Sequence, residues 1–172
     1  MTGSTCMPII RVHGLVSRYG AQVVHDGLDL EVRPNEIFGV VGGSGSGKSV
    51  LLRTILGLRR PQGGSVELYG RDIQRLSPQQ RLELVKSCGV TFQNGALISS
   101  LNVAQNIQLP LREYHPVPEA ALDEIAQLNL ALVGLPPDAA GKYPAQLSGG
   151  MTKRAALARA LSLEPKLLFL DE

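Results

Sequence analysis

Eight consecutive residues, Gly42-Gly43-Ser44-Gly45-Ser46-Gly47-Lys48-Ser49, constrain this chain more than any others. They fit the pattern GxxxxGK[ST], in which a glycine-rich backbone turns several N–H groups into one concavity at a helix N-terminus. Such a loop needs a strand before it and a helix after it, and the sequence predicts both. Residues 37–41, Ile-Phe-Gly-Val-Val, form a nearly continuous apolar run, expected as a strand buried on both faces. Residues 50–58 read as the helix, beginning with Val50. In that setting Lys48 supplies a cation for β- and γ-phosphates, and the Ser49 hydroxyl can ligate Mg²⁺. The expected ligand is a nucleoside triphosphate.

The remaining pattern frames this loop. Leu28, Leu30 and Val32 alternate with Asp29, Glu31 and Arg33, the signature of a half-buried strand. Residues 66–69 and 88–92 are two further short strands. Ser77-Pro78-Gln79-Gln80 carries a capping serine, a proline at the first helical position and a glutamine three residues after the cap. From residue 102 the period becomes helical. Val103, Ile107 and Leu111 share a face broken by Pro110, and Ala121, Leu122, Ile125, Leu128 and Leu132 form a second stripe.

Two later segments add chemistry. Leu167-Leu168-Phe169-Leu170 reads as a buried apolar strand delivering Asp171 and Glu172. Asp171 suits the shell of a magnesium ion, and Glu172 could deprotonate an attacking water. Leu147-Ser148-Gly149-Gly150-Met151 places two glycines and a serine at a helix start, a second anion-binding terminus.

With these motifs in place, the chain resembles the ATP-binding cassette family of transporter ATPases. Residues 42–49 match its phosphate loop, Gln93 its switch glutamine, residues 147–151 its signature, and Asp171-Glu172 the end of its Walker B strand. The resemblance implies an α/β fold, a P-loop NTPase of the ABC type. A strand-rich core would span residues 1–93, a helical subdomain with the signature 94–163, and the Walker B strand 164–172. It implies ATP and Mg²⁺ as ligands. Tyr19 would stack on adenine, and Gly42, Gly43, Ser44, Gly45, Ser46, Gly47, Lys48, Ser49 and Val50 would hold the phosphates. Ser148, Gly149 and Gly150 would reach the γ-phosphate on an opposing subunit. Ser49, Gln93 and Asp171, the last through water, would serve the metal, and Glu172 and Gln93 would be catalytic. The implied partners are a second cassette in a homodimer and an integral membrane permease, on the cytoplasmic face of the inner membrane.

The stretch from Gln93 to Val103, with Pro110-Leu111-Arg112-Glu113 and residues 150–160, is similar to the subgroup that powers bacterial phospholipid trafficking. By that analogy Ala96, Leu97 and Ile98 line the groove for a permease coupling helix. Family members continue past the Glu172 position with a dimer-closing loop, a further strand and helix, and a switch histidine. The resemblance thus covers the first two-thirds or so of a cassette, and residues 1–172 alone are expected to hydrolyse little ATP. The alternatives are an importer ATPase for another substrate, a soluble cassette ATPase acting on ribosomes or DNA, and an inactive ATP-binding fragment.

Composition narrows the field further. Seventeen basic residues against 15 acidic ones, a net charge of +2, give no electrostatic footprint for nucleic acid or an anionic membrane. Cys6 and Cys88 lack metal or redox spacing, as expected in a reducing compartment. His13, His25 and His115 lack ligand spacing and read as structural or surface residues. No apolar run reaches the roughly 18 residues a membrane helix needs, so a membrane role would be borrowed from a partner.

Overall fold

The computed structural model describes residues 7–93 and 95–171. Backbone packing divides the chain into two compact units, Met1–Leu84 and Val85–Glu172.

In the first unit, β1 (Ile10–Tyr19) and β2 (Gln22–Val32) form an antiparallel hairpin whose last pair is Tyr19 opposite Gln22. β3 (Gly63–Leu68) pairs with the other edge of β1, and β4 (Arg71–Asp72) with β3, giving the order β2-β1-β3-β4. The expected alternation along β2 holds, with Val32 buried and Asp29 and Glu31 exposed. Val12, Leu15, Val66 and Leu68 are buried on the sheet, as are Leu51 and Ile55 of α1 (Lys48–Ile55), which lies against β1 and β3. Gly57, just past α1, has a φ of +69°, the left-handed conformation that commonly ends a helix. α2 (Pro78–Lys86) starts as its sequence predicts. The Ser77 N–H donates to Gln80 Oε1 at 3.0 Å and the Gln80 N–H to Ser77 Oγ at 3.3 Å.

One expectation fails here. Residues 37–41 form no strand, and Ile37 and Val41 are almost wholly exposed. The apolar run specifies a segment that needs neighbours on both faces, but the four strands of this unit complete their pairing without it.

In the second unit, β5 (Cys88–Thr91) and β6 (Leu167–Leu170) pair in parallel from Cys88 opposite Leu167 to Thr91 opposite Leu170. β6 was expected to be buried. Phe169 is, but Leu168 and Leu170 are exposed, because β5 is the only strand paired to β6 among the described residues. Three helices, α3 (Val103–Tyr114), α4 (Glu119–Leu132) and α5 (Gly149–Leu161), enclose a core of Val103, Ile107, Ala126, Leu130, Leu135, Ala139, Ala155 and Ala158. The face of α4 that is buried is Leu122, Ala126, Asn129 and Leu130; the predicted stripe residues Leu128 and Leu132 point outward. α3 tolerates Pro110, which costs one intrahelical hydrogen bond. Its start is fixed by a reciprocal cap between Asn102 and Gln105.

Candidate nucleotide site

In the first unit the site begins where the chain enters α1. Gly45 and Gly47 take φ values of +77° and +97°, turning successive N–H groups toward one side. Gly47 is the N-cap of α1 and offers no side-chain acceptor, so no capping side chain from Gly47 stands between the helix start and an external anion. Space as well as φ demands glycine here. A Cβ at Gly47 would lie 2.6 Å from Val24 Cγ1 and 2.8 Å from His25 Nε2. The Lys48 ammonium donates to the carbonyls of Gly42 at 2.8 Å and Gly43 at 3.0 Å, which holds it across the mouth of the loop. No acidic residue occupies the first turn of α1 to repel a phosphate.

A groove of about 370 Å³ runs from this loop to the tip of the β1–β2 hairpin, lined by Tyr19, Gln22, Val24 and residues 45–50. The structure therefore brings Tyr19 into one continuous surface with Lys48, Ser49 and Val50. Its two ends differ in chemistry, with an aromatic ring at one and backbone N–H groups with a cation at the other. That combination suits a nucleotide, whose base stacks and whose phosphates need donors.

Two neighbours of this groove had no signal in the sequence. His25 is only 7% exposed and its Nδ1 has no partner among the described residues. Burial pushes its imidazole pKa below the ordinary value of 6.5. As expected, His25 is structural, but it packs directly behind Gly47. Arg59, on the segment after α1, stacks its guanidinium 3.8 Å from the centre of the Tyr19 ring. A lone histidine in a strand and one arginine of a pair carry no spacing that would mark them.

In the second unit Gln93 and Asp171 emerge from the same end of the β5–β6 pair. Thr91 pairs with Leu170, and the Asp171 N–H donates to the Thr91 carbonyl at 3.1 Å. Carboxyl ends of adjacent parallel strands are where α/β proteins place ligand-binding groups. Gln93 is exposed and Asp171 partly so. Glu172 lies outside the described residues. Ser148 caps α5, accepting from the Met151 N–H at 3.3 Å, while Gly149 and Gly150 are exposed and face open space. The predicted helix start is thus a serine-capped, solvent-accessible N-terminus.

The segment after Gln93 is fixed from two sides. Asn106, fully buried on α3, accepts from the Ile98 N–H and donates to the carbonyls of Ile98, Leu101 and Asn102. Arg159 of α5 donates to the Ala96 carbonyl at 2.8 Å and the Gly95 carbonyl at 3.1 Å. Ala96 and Ile98 remain exposed on this braced loop.

A sequence profile of the ABC transporter family matches residues 25–172. The chain belongs to that family. It is 40% identical over 164 residues to the intermembrane phospholipid transport system ATP-binding protein MlaF of Haemophilus influenzae, covering 95% of this chain and 62% of that protein. It is 41% identical over 163 residues to the probable ribonucleotide transport ATP-binding protein mkl of Mycobacterium bovis, covering 95% of this chain and 45% of the other. The methionine import ATP-binding protein MetN of Brucella abortus is 39% identical over 169 residues, covering 98% and 45%. The chain thus spans about half to three-fifths of the length of these relatives.

Solved structures agree. A dimeric ATP-binding cassette in a post-hydrolysis state with ADP and phosphate aligns with a TM-score of 0.88 at 26% identity, covering 95% of this chain and 73% of that one. The cassette cbiO1 of Clostridium perfringens, part of the transporter complex cbiONQ, aligns with a TM-score of 0.81 at 28% identity, covering 96% and 65%. The fold is that of an ABC-type P-loop NTPase. Among the described residues no helix is long and apolar enough to cross a membrane.

Proposed function

We propose that this ABC chain binds ATP with Mg²⁺ and hydrolyses it as the ATPase subunit of an envelope transporter that moves phospholipids. The observation that carries the nucleotide part is the groove joining the Tyr19 ring to the loop of Lys48 and Ser49. Residues 42–50 hold the phosphates and Tyr19 stacks on adenine. Among the described residues no cluster of three His, Cys, Asp or Glu could cage a metal. Mg²⁺ binds through few protein ligands together with phosphate oxygens and water. Ser49, in the phosphate loop, would hold the ion, which would supply charge neutralisation at the phosphates. Glu172 is the general base, and Gln93 positions the water it activates. Ser148, Gly149 and Gly150 meet the γ-phosphate bound by a second copy. The dimer seen in the structural relative with ADP and phosphate supports this pairing.

The partner is an integral membrane permease, met through Ala96, Leu97 and Ile98, which places the protein peripherally on the cytoplasmic face of the inner membrane. The cargo assignment rests on the likeness to the phospholipid transport protein, at 40% identity. Methionine and ribonucleotide transport proteins are similar to almost the same degree, and they favour a second reading, an ATPase for another cargo. Reconstituting the full-length protein with its co-purified permease in vesicles separates the two. Lipid cargo predicts ATP-dependent movement of a fluorescent phospholipid. ATP-dependent uptake of methionine or a ribonucleotide, with lipids immobile, would reject it.

A further inference from the structure

Both ends of α1 connect to residues that line the groove. Its N-terminus carries the phosphate loop, and the segment leaving its C-terminus carries Arg59 to the Tyr19 ring. The guanidinium is not merely near that ring. Its Nη2 donates to the Arg18 carbonyl at 2.6 Å, so it is pinned to the main chain that holds Tyr19. The Arg59 N–H in turn donates to the Arg53 carbonyl at 3.2 Å, in the last turn of α1. Gln62 adds a second tie, accepting from the Arg18 N–H at 2.7 Å and donating its own N–H to the Val16 carbonyl at 2.9 Å.

Tyr19 needs such support. It ends β1 at a hairpin tip, and it is 48% exposed. Side chains at such tips are ordinarily free to reorient. Tyr19 lines the groove and Arg59 does not, while the guanidinium stacks over one face of the ring. One face is therefore backed by a cation at stacking distance, well inside the roughly 6 Å over which such contacts act. The other is open to a base.

Resting on the nucleotide reading above, we propose that Arg59 is a positioning residue for base recognition. It clamps the Tyr19 ring as a preformed stacking platform and ties that platform to the helix that begins in the phosphate loop. A ring held before binding loses less freedom when the base arrives, so its contribution appears as affinity. The contribution is specific to the base end. A ligand made only of phosphates gains nothing from it.

The test is calorimetric binding of ATP and of inorganic tripolyphosphate to the full chain and to Arg59→Ala, Arg59→Lys, Tyr19→Ala and Arg59→Ala/Tyr19→Ala variants. Arg59→Ala should weaken ATP about fivefold and leave tripolyphosphate within about twofold. Arg59→Lys, which keeps the charge without the planar fork, should fall between. Once Tyr19 is alanine, changing Arg59 should no longer alter ATP affinity. Unchanged ATP affinity in folded Arg59→Ala, equal losses for both ligands, or additive effects in the double variant would each overturn the proposal. Should Arg59→Ala fail to fold, the Lys variant decides on the same comparison of the two ligands. Lys48→Ala is the control for the site itself. If it leaves ATP affinity unchanged, the nucleotide site is misplaced; if it abolishes binding while Arg59 is without effect, only the clamp is wrong.

Discussion

Asn106 and Ile98 are joined by two hydrogen bonds, the Ile98 N–H to Asn106 Oδ1 at 2.8 Å and Asn106 Nδ2 to the Ile98 carbonyl at 3.1 Å. The same amide reaches the Leu101 and Asn102 carbonyls, at 3.0 Å each. One side chain with no solvent exposure thus closes the loop that follows Gln93. It is a polar residue buried because every group it carries is used.

Asn106→Ala should destabilise the protein by about 1–2 kcal/mol, since it removes the acceptor of the Ile98 N–H and the side-chain donor to the Leu101 carbonyl, while the Ile98 and Asn102 carbonyls keep the backbone N–H groups of Leu101 and residue 106. Asn106→Asp is the sharper variant. It keeps the acceptor for Ile98 but turns an oxygen toward three carbonyl oxygens, which raises the folded-state pKa of the new acid. Its stability should therefore be highest where the acid is protonated and fall as pH rises through that raised value. Urea unfolding at about pH 5 and pH 8 measures the difference, and equal losses at both pH values would contradict the clamp.

Lys48→Ala removes the cation that spans the Gly42 and Gly43 carbonyls at the loop mouth. ATP affinity should drop by about a hundredfold or more, the scale of losing a charge-assisted contact to phosphate. Circular dichroism checks that the variant folds. A folded variant with native affinity would place the phosphates elsewhere.

Glu172→Gln, made in a version carrying the remaining length of the family relatives, should keep ATP binding and lose hydrolysis. The amide preserves shape but cannot take a proton. Size-exclusion chromatography with ATP should then show a stable dimer. Phosphate release at the wild-type rate would assign the base to another residue.

His25 makes stability depend on pH. It faces Ser17 across the β1–β2 pair, packs against Gly47 beside Lys48, and has Asp26 next to it on β2. Burial depresses its pKa, so the unfolded chain binds a proton at a pH where the folded one does not. The stability this represents is whole above the ordinary value of 6.5 and is lost as pH falls from there through the folded value. His25→Leu should flatten the stability profile across that window. Parallel profiles for the two proteins would show that another group is responsible.

Local chemistry was readable in advance, and neighbourhood was not. The cap at Ser77, the alternation along β2 and the glycine loop each depend on residues a few positions apart, and all take the expected form. Residues 37–41 state only that their faces are apolar. Whether strands flank them is decided far away in the sequence, and in the first unit none does. The α4 stripe fails similarly, since leucine is as frequent on the outer face near Leu128 as on the inner one near Leu130. Arg59 and His25 matter through contacts across about 40 and 22 positions of chain, and no periodicity encodes such a pairing.

Gly89 on β5 has its Cα so close to α5 that a Cβ would stand 2.6 Å from the Ala160 carbonyl. The neighbouring residue, Arg159, grips Gly95 and Ala96. In mechanical terms α5 is a beam clamped along its length, by these contacts at residues 159–160 and by the core at Ala155, Ala156 and Ala158, with its capped end at Ser148 roughly 16 Å from Arg159 at 1.5 Å per residue. A load on the exposed Ala96 passes through Arg159 into a helix seated in the core, so it is borne by the helical bundle as a whole.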